Sequence, residues 1–259
     1  MPETVENPHP DGLQDGVVRR AYALWAWSVF LAFGCTAVLL MLVLPSLRAR
    51  RGCARAFARA VFALTGIRLR VYGLATLRPP CIVVANHASY LDGVALAAGL
   101  PPEFGFVIKR EMAAVPLAGT LLRRIGAEFV ERRDRARGTR DTRRLLRRAE
   151  GGQSLVFFPE GTFGEQVGLL HFHIGAFAAA ARADLPVVPL AIRGTRHCLP
   201  ADSLLPRPGT IELVVLAALP AMDASAPVPD ADRAASLRDQ ARAALLTALG
   251  EPDLDAHAR

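Results

Sequence analysis

Between Arg20 and Arg48 the chain carries no charged residue, and "AYALWAWSVFLAFGCTAVLLMLVLP" (21–45) is apolar almost throughout. In apolar surroundings every backbone N–H and C=O must find a partner, and a helix satisfies them within the segment itself. About 20 helical residues cross the hydrocarbon core of a bilayer, so the stretch is long enough to span one. A helix buried in protein is the alternative. Trp25 and Trp27 lie near one end, where amphipathic rings favour the membrane interface. Arg19 and Arg20 precede the stretch, and Arg48, Arg50, Arg51, Arg55 and Arg59 follow it. If the helix spans, the heavier basic flank puts the rest of the chain on the cytoplasmic face of the inner membrane. A signal peptide fits less well, because the apolar run is too long for an h-region and a polar tail precedes it.

The organisation expected from here on is a polar tail (1–18), a membrane helix with a basic amphipathic helix (19–66), a catalytic domain (67–250) and a short tail (251–259). In the second helix Ala54, Phe57, Ala58, Val61 and Phe62 form the apolar side, while Arg48, Arg51, Arg55 and Arg59 recur at helical spacing. Such a helix suits the membrane interface, and it equally suits packing on the domain that follows. The net charge is +7, which favours anionic partners such as a membrane surface. Aromatic residues make up 7% and do not interleave with basic ones, which argues against nucleic acid. Lys109 is the only lysine, among many arginines, and an ammonium and a guanidinium make different contacts. Cys35, Cys53, Cys81 and Cys198 show no CxxC and read as buried free thiols.

After residue 67 short apolar runs alternate with helical patterns. Strands are expected at 68–74, 81–86, 105–111, 128–132, 154–160, 186–194 and 210–219, with helices between them and a closing helix at 231–250. This is an α/β fold, a central mixed sheet covered by helices. "CIVVANHASYLDG" (81–93) ends a buried strand on Asn86-His87, and Asp92 follows shortly after. Within a continuous helix the His87 and Asp92 side chains would diverge by roughly 140°. They meet only if a turn precedes the helix, and Asn86 and Ser89 are turn and cap residues. Spacing alone leaves two readings open: a capped structural turn, or a His–Asp pair able to take a proton. No GxSxG, Walker A or GxGxxG occurs, so neither a serine nucleophile nor a nucleotide is indicated. His171 and His173 could be a metal pair, but no further ligands cluster with them, and no metal is expected.

The ordered motifs carry a resemblance. Asn86, His87 and Asp92; then "GAEFVER" with Gly126, Phe129, Val130 and Arg132; then "FPEGT" (158–162); then "VVPLAIRG" with Pro189 resemble the motifs of the glycerophospholipid acyltransferase family, over roughly residues 70–220. That resemblance implies transfer of a fatty acyl group from acyl-CoA or acyl-carrier protein to the hydroxyl of a lysophospholipid or glycerol phosphate, without an acyl-enzyme and without a cofactor. It implies His87 as general base and Asp92 as its orienter. Lys109 and Arg132 would hold the acceptor phosphate, Glu160, Gly161 and Thr162 would line the acceptor site, and Pro189 would form a wall near the acyl chain. The chain departs from the family after Thr162, where Phe163 and Gly164 stand in place of the common Arg-Ser, and at His173, where a lysine is common. Membrane lipids, a lysophospholipid and a thioester donor are thus the implied partners. The acceptor implied first is 1-acylglycerol 3-phosphate, giving phosphatidic acid; another lyso-acceptor, such as a lyso-ornithine lipid or another lysophospholipid, and an inactive lipid-binding relative are the alternatives.

Overall fold

The computed structural model describes residues 10–131, 135–220 and 229–255. It opens with a helical hairpin of α1 (Pro10–Val43) and α2 (Leu47–Thr65). Helix α1 reaches back into the expected polar tail and starts at a proline, a residue favoured in a first helical turn where its missing N–H would lack a partner anyway. Ser46 caps α2 by accepting the Ala49 N–H at 3.1 Å, and Gly66, with φ at 74°, ends it. Residues Gly16–Val43 are long and apolar enough to cross a membrane. The helix nevertheless runs along the protein. Tyr22 Oη donates to the Thr65 carbonyl, Trp25 Nε1 to that of Leu64 and Trp27 Nε1 to that of Leu204. At the other end Ala37 and Met41 are buried against Ala54 and Ile125.

In the structure α2 packs on the domain that follows. Arg51 is buried and donates to the carbonyls of Ile125 and Glu103. Arg55 and Arg59 both donate to the Ala98 carbonyl. Their guanidiniums meet the last carbonyls of α3 (Leu91–Gly99), the negative end of that helix.

Seven strands follow: β1 (Arg68–Tyr72), β2 (Ile82–Ala85), β3 (Gly105–Lys109), β4 (Glu128–Val130), β5 (Leu155–Phe157), β6 (Val187–Arg193) and β7 (Thr210–Val215). They form one mixed sheet in the order β1-β7-β6-β2-β5-β3-β4. Every neighbouring pair is parallel except β6 with β7. The remaining helices are α4 (Ala118–Arg124), α5 (Arg135–Glu150), α6 (Gly175–Ala183), α7 (Thr195–Cys198) and α8 (Asp230–Leu249). Strand β2 shows why the apolar runs are continuous. Val83 and Ala85 face a core with Phe62 of α2 and Leu96 of α3, while Ile82 and Val84 face one with Phe177 of α6 and Leu245 of α8. A strand covered on both faces has no polar side to display. The 3-10 turns at Leu74–Thr76 and Arg110–Ala114, and the single turn of α7, lie outside the sequence expectation because such short elements have no periodicity to read.

Pro189 lies inside the sheet, in register with Val84. Toward β7, Leu190 pairs with Val215 but Val187 pairs with Leu219, so the β7 side carries one extra residue across this interval. This is a bulge, where a residue without an N–H costs no ladder bond. Two sequence expectations need correction. Cys81 and Cys198 are buried, but Cys35 is exposed on the outer side of α1 and Cys53 is half-buried. The C-terminal segment is also no free tail through residue 255, because Asp253 bridges to Leu169 in a parallel pairing.

Candidate active site

Strands β2, β5, β3 and β4 run parallel, so their C-terminal ends share one edge of the sheet, where ligand crevices of α/β folds form. His87 follows β2 at this edge, Lys109 ends β3, Glu131 follows β4, and the 158–162 segment follows β5. Asn86 fixes the end of β2. Its Nδ2 donates to the Ile192 carbonyl at 2.9 Å and its Oδ1 accepts the Ile192 N–H at 2.7 Å, so the side chain replaces one backbone rung toward β6. Asn86→Ala would strand both Ile192 groups in the core. It is expected to cost about 3 kcal/mol in unfolding free energy, read as a lower urea midpoint.

Helix α3 does not start until Leu91, so residues 86–90 form the turn that the His87–Asp92 spacing requires. His87 Nδ1 lies 2.8 Å from Asp92 Oδ2. The same oxygen accepts the N–H of Ala88 at 2.6 Å and of Ser89 at 2.9 Å, and Asp92 is fully buried. The aspartate therefore shapes the loop and grips the imidazole through one oxygen. In the neutral tautomer that this contact fits, Nδ1 donates to Asp92 and Nε2 carries the lone pair. Ser89 Oγ donates to the Leu199 carbonyl at 2.7 Å and ties the loop to the end of α7.

Aromatic rings surround the histidine. Phe158 stacks on it with centroids 4.2 Å apart and planes 17° apart. Phe163 meets it at 4.4 Å with its plane turned by 61°, and Tyr90 meets Phe163 at 4.8 Å. The His87 side chain stays 19% exposed. Behind Phe158 opens a cleft of about 310 Å³ walled by Val107, Val130, Leu145 and Ala176, with Asp141 and His173 in its lining.

Glu160 differs most from its expected place. The motif puts it among acceptor-lining groups, but it is 4% exposed and holds backbone. Its Oε1 accepts the His87 N–H at 2.6 Å and its Oε2 accepts the Leu170 N–H at 2.9 Å. Burial pushes its carboxyl up to about 7, and nearby Asp92 and Glu251 add to this against the two N–H donors. Gly161 turns with φ at 75° and Thr162 is exposed beside it. Lys109 is half-exposed with its Nζ 3.6 Å from Glu111 Oε1. Arg132 lies outside the described residues. His171 Nδ1 approaches Asp255 Oδ2 at 3.1 Å, and the His173 N–H donates to the Pro159 carbonyl. Among the described residues no cluster of His, Cys, Asp and Glu could hold a metal ion. Sequence reasoning missed the brace made by Glu160 and the aromatic walls at Phe158, Phe163 and Tyr90. The short spacing of Phe158 and Phe163 around "PEGT" was the available signal.

The family model described as Acyltransferase matches residues 68–193, from the first residue of β1 to the last of β6. A 1-acyl-sn-glycerol-3-phosphate acyltransferase of Chlamydomonas reinhardtii is 31% identical over 261 residues, covering 96% of this chain and 74% of that protein. A lyso-ornithine lipid O-acyltransferase of Pseudomonas aeruginosa is 37% identical over 150 residues, covering 56% of this chain and 55% of that protein. The crystal structure of the 1-acyl-sn-glycerophosphate acyltransferase PlsC from Thermotoga maritima superposes with a TM-score of 0.74 at 19% identity, covering 91% of this chain and 96% of that one, which establishes a common fold. Extended sequence identity, a matching catalytic-domain model and a shared sheet together place this chain in the glycerophospholipid acyltransferase family.

Proposed function

We propose that the chain transfers a fatty acyl group from acyl-CoA or acyl-carrier protein to the free hydroxyl of a lysophospholipid, with 1-acylglycerol 3-phosphate as the first acceptor to test. The observation that carries this reading is the His87 Nδ1 contact of 2.8 Å with a buried carboxylate, in a ring that remains partly exposed. His87 Nε2 takes the hydroxyl proton while Asp92 steadies the cationic ring that results. The acceptor oxygen bonds to the thioester carbonyl carbon, the C–S bond breaks, and the sulfur leaves with the proton returned by His87. No side-chain nucleophile is needed. Lys109, and Arg132 at its motif position, are the cations proposed for the acceptor phosphate. Gly161 and Thr162 are proposed beside the acceptor, and Pro189 on the acyl side.

The location proposed for the reaction is the cytoplasmic face of the inner membrane, a reading supported by the basic flank that follows α1. Leu24, Leu31, Leu39 and Val43 of α1 are exposed and available to lipid, while Tyr22, Trp25 and Trp27 tie the helix to the domain. Labelled acyl-CoA and acyl-carrier protein, each offered with a panel of lyso-acceptors in vesicles, test the activity. Turnover of no member would remove the reading and leave a lipid-binding relative.

Phe163 favours a second acceptor. It covers His87 where the family commonly has an arginine, so the acceptor meets an aromatic edge and not a cation at this point. A lyso-ornithine lipid lacks a phosphate and suits that wall. If Phe163 sets this preference, Phe163→Arg raises kcat/KM for 1-acylglycerol 3-phosphate relative to lyso-ornithine lipid by about 10-fold, the worth of one charge-assisted bond. An unchanged ratio would remove Phe163 from acceptor choice.

A further inference from the structure

The C-terminal segment is joined to the histidine by an unbroken chain of hydrogen bonds. Arg242 of α8 forks onto Asp253, Nη1 to Oδ2 at 2.8 Å and Nη2 to Oδ1 at 2.6 Å. The same guanidinium donates to the carbonyl of Leu169 at 3.1 Å and reaches that of Leu170 at 3.4 Å. Residues 252–254 bind the same loop as a short strand: Leu169 N–H donates to the Pro252 carbonyl at 3.0 Å, and Leu254 N–H donates to that of Leu169 at 3.1 Å. The approach is so close that a Cβ on Gly168 (φ 142°) would lie 2.6 Å from Leu254 Cγ and 2.8 Å from the Pro252 oxygen. Glu251 pairs with Arg196 of α7 at 3.2 Å and fixes the start of the segment.

The loop held in this way presents the Leu170 N–H to Glu160 Oε2, and Glu160 Oε1 holds the His87 N–H. Arg242 side-chain exposure is 12%, so a bidentate, partly desolvated pair sits at the origin of the chain. The imidazole itself is held by Asp92, Phe158 and Phe163. The common effect of Arg242, Asp253, the 169–170 loop and Glu160 is on where the His87 backbone lies relative to Phe158, Phe163 and Asp92.

We infer that Arg242 is a positioning residue for His87, acting through Asp253, the 169–170 loop and Glu160, so that residues 251–255 form a strap that completes the active site from behind. The inference rests on the reading of His87 as the base. Misplacement of a catalytic group by about 1 Å costs on the order of 100-fold. In the full-length protein in vesicles, Arg242→Met is therefore expected to lower kcat by on the order of 10- to 100-fold, with the KM of donor and acceptor within about twofold because no binding group is lost. Arg242→Lys, which keeps the charge but not the fork, recovers part of the loss. Asp253→Asn cuts the same link from the other side, and the double variant Arg242→Met/Asp253→Asn falls no further than Arg242→Met alone. The His87 ring signals in a histidine-labelled NMR spectrum shift in all three single variants.

Wild-type kcat in folded Arg242→Met would overturn the inference, as would kcat and KM that change only with the folded fraction, or unmoved His87 signals. If Arg242→Met does not fold, Arg242→Lys and Asp253→Asn carry the same tests. His87→Ala run in parallel separates the two ideas. Turnover in that variant would remove the base itself, whereas loss there with full kcat in folded Arg242→Met would remove only the strap.

Discussion

Alanine in place of His87 is expected to lower kcat by about 10²- to 10⁴-fold, the usual contribution of a positioned general base. The variant should still fold and bind membrane. Its backbone N–H remains to donate to Glu160, and the hairpin of α1 and α2 packs through other residues, among them Met41, Ala54 and Phe62. The rings of Phe158 and Phe163 would close over the missing imidazole at a modest packing cost. Asp92→Asn tests the other half of the pair. With its amide oxygen placed where Oδ2 now sits, it keeps acceptors for the Ala88 and Ser89 N–H groups but cannot stabilise a cationic ring. Residues that act as a unit are not additive, so the double variant should be no slower than His87→Ala alone. Single-turnover assays with a labelled thioester and one lyso-acceptor measure all three. Retained turnover in folded His87→Ala would sink the general-base mechanism.

How much of this could be read from residue order depends on what each residue contacts. The strands were legible because β2, β5 and β6 are buried on both faces, which forces runs such as Ile82–Ala85 and Leu155–Phe157 with no polar partner position. Their C-terminal edge was legible in outline, since parallel order brings His87, Lys109 and the 158–162 segment to one side. The role of a given side chain there was not. Asn86 read as a turn residue, yet its amide pairs with Ile192, 106 positions away, a contact that no local pattern encodes. Glu160 read as a ligand-facing carboxylate because it stands in a polar motif. Its partners His87 and Leu170 are backbone groups, and backbone donors leave no trace in sequence. Helix α2 shows the reverse limit. Its arginine spacing fits lipid headgroups and helix-end carbonyls equally well, and only the position of α3 decides for Ala98 and Gly99. The α1 start at Pro10 had a readable signal in the proline itself, but the surrounding acids and glycines masked it.

Glu160 gives the second large effect, and it is a dependence on pH. Its carboxyl has an ordinary value of 4.5 and is pushed up to about 7 in the fold, chiefly by burial, with the carboxylates of Asp92 and Glu251 facing it. Between these values the folded protein holds a proton that the unfolded chain has released. The stability this proton supplies is fully present below about 4.5 and is lost as pH rises through about 7. The shift is worth about 3 kcal/mol at 1.36 kcal/mol per pH unit. Glu160→Gln removes the ionisation, so the difference in unfolding free energy between pH 5 and pH 8 should change by about that amount relative to wild type. The amide keeps one acceptor, and either the His87 or the Leu170 N–H must then face an NH₂ donor. That conflict costs one buried hydrogen bond, about 1 to 3 kcal/mol at every pH, and it loosens His87, so kcat should fall about 10-fold even where the variant is folded. Urea unfolding at several pH values, paired with turnover at each, separates the two consequences. An unaltered pH slope in Glu160→Gln would show that the buried carboxyl does not hold a proton near neutrality. A flattened slope with full kcat would show that its grip on His87 is structural only.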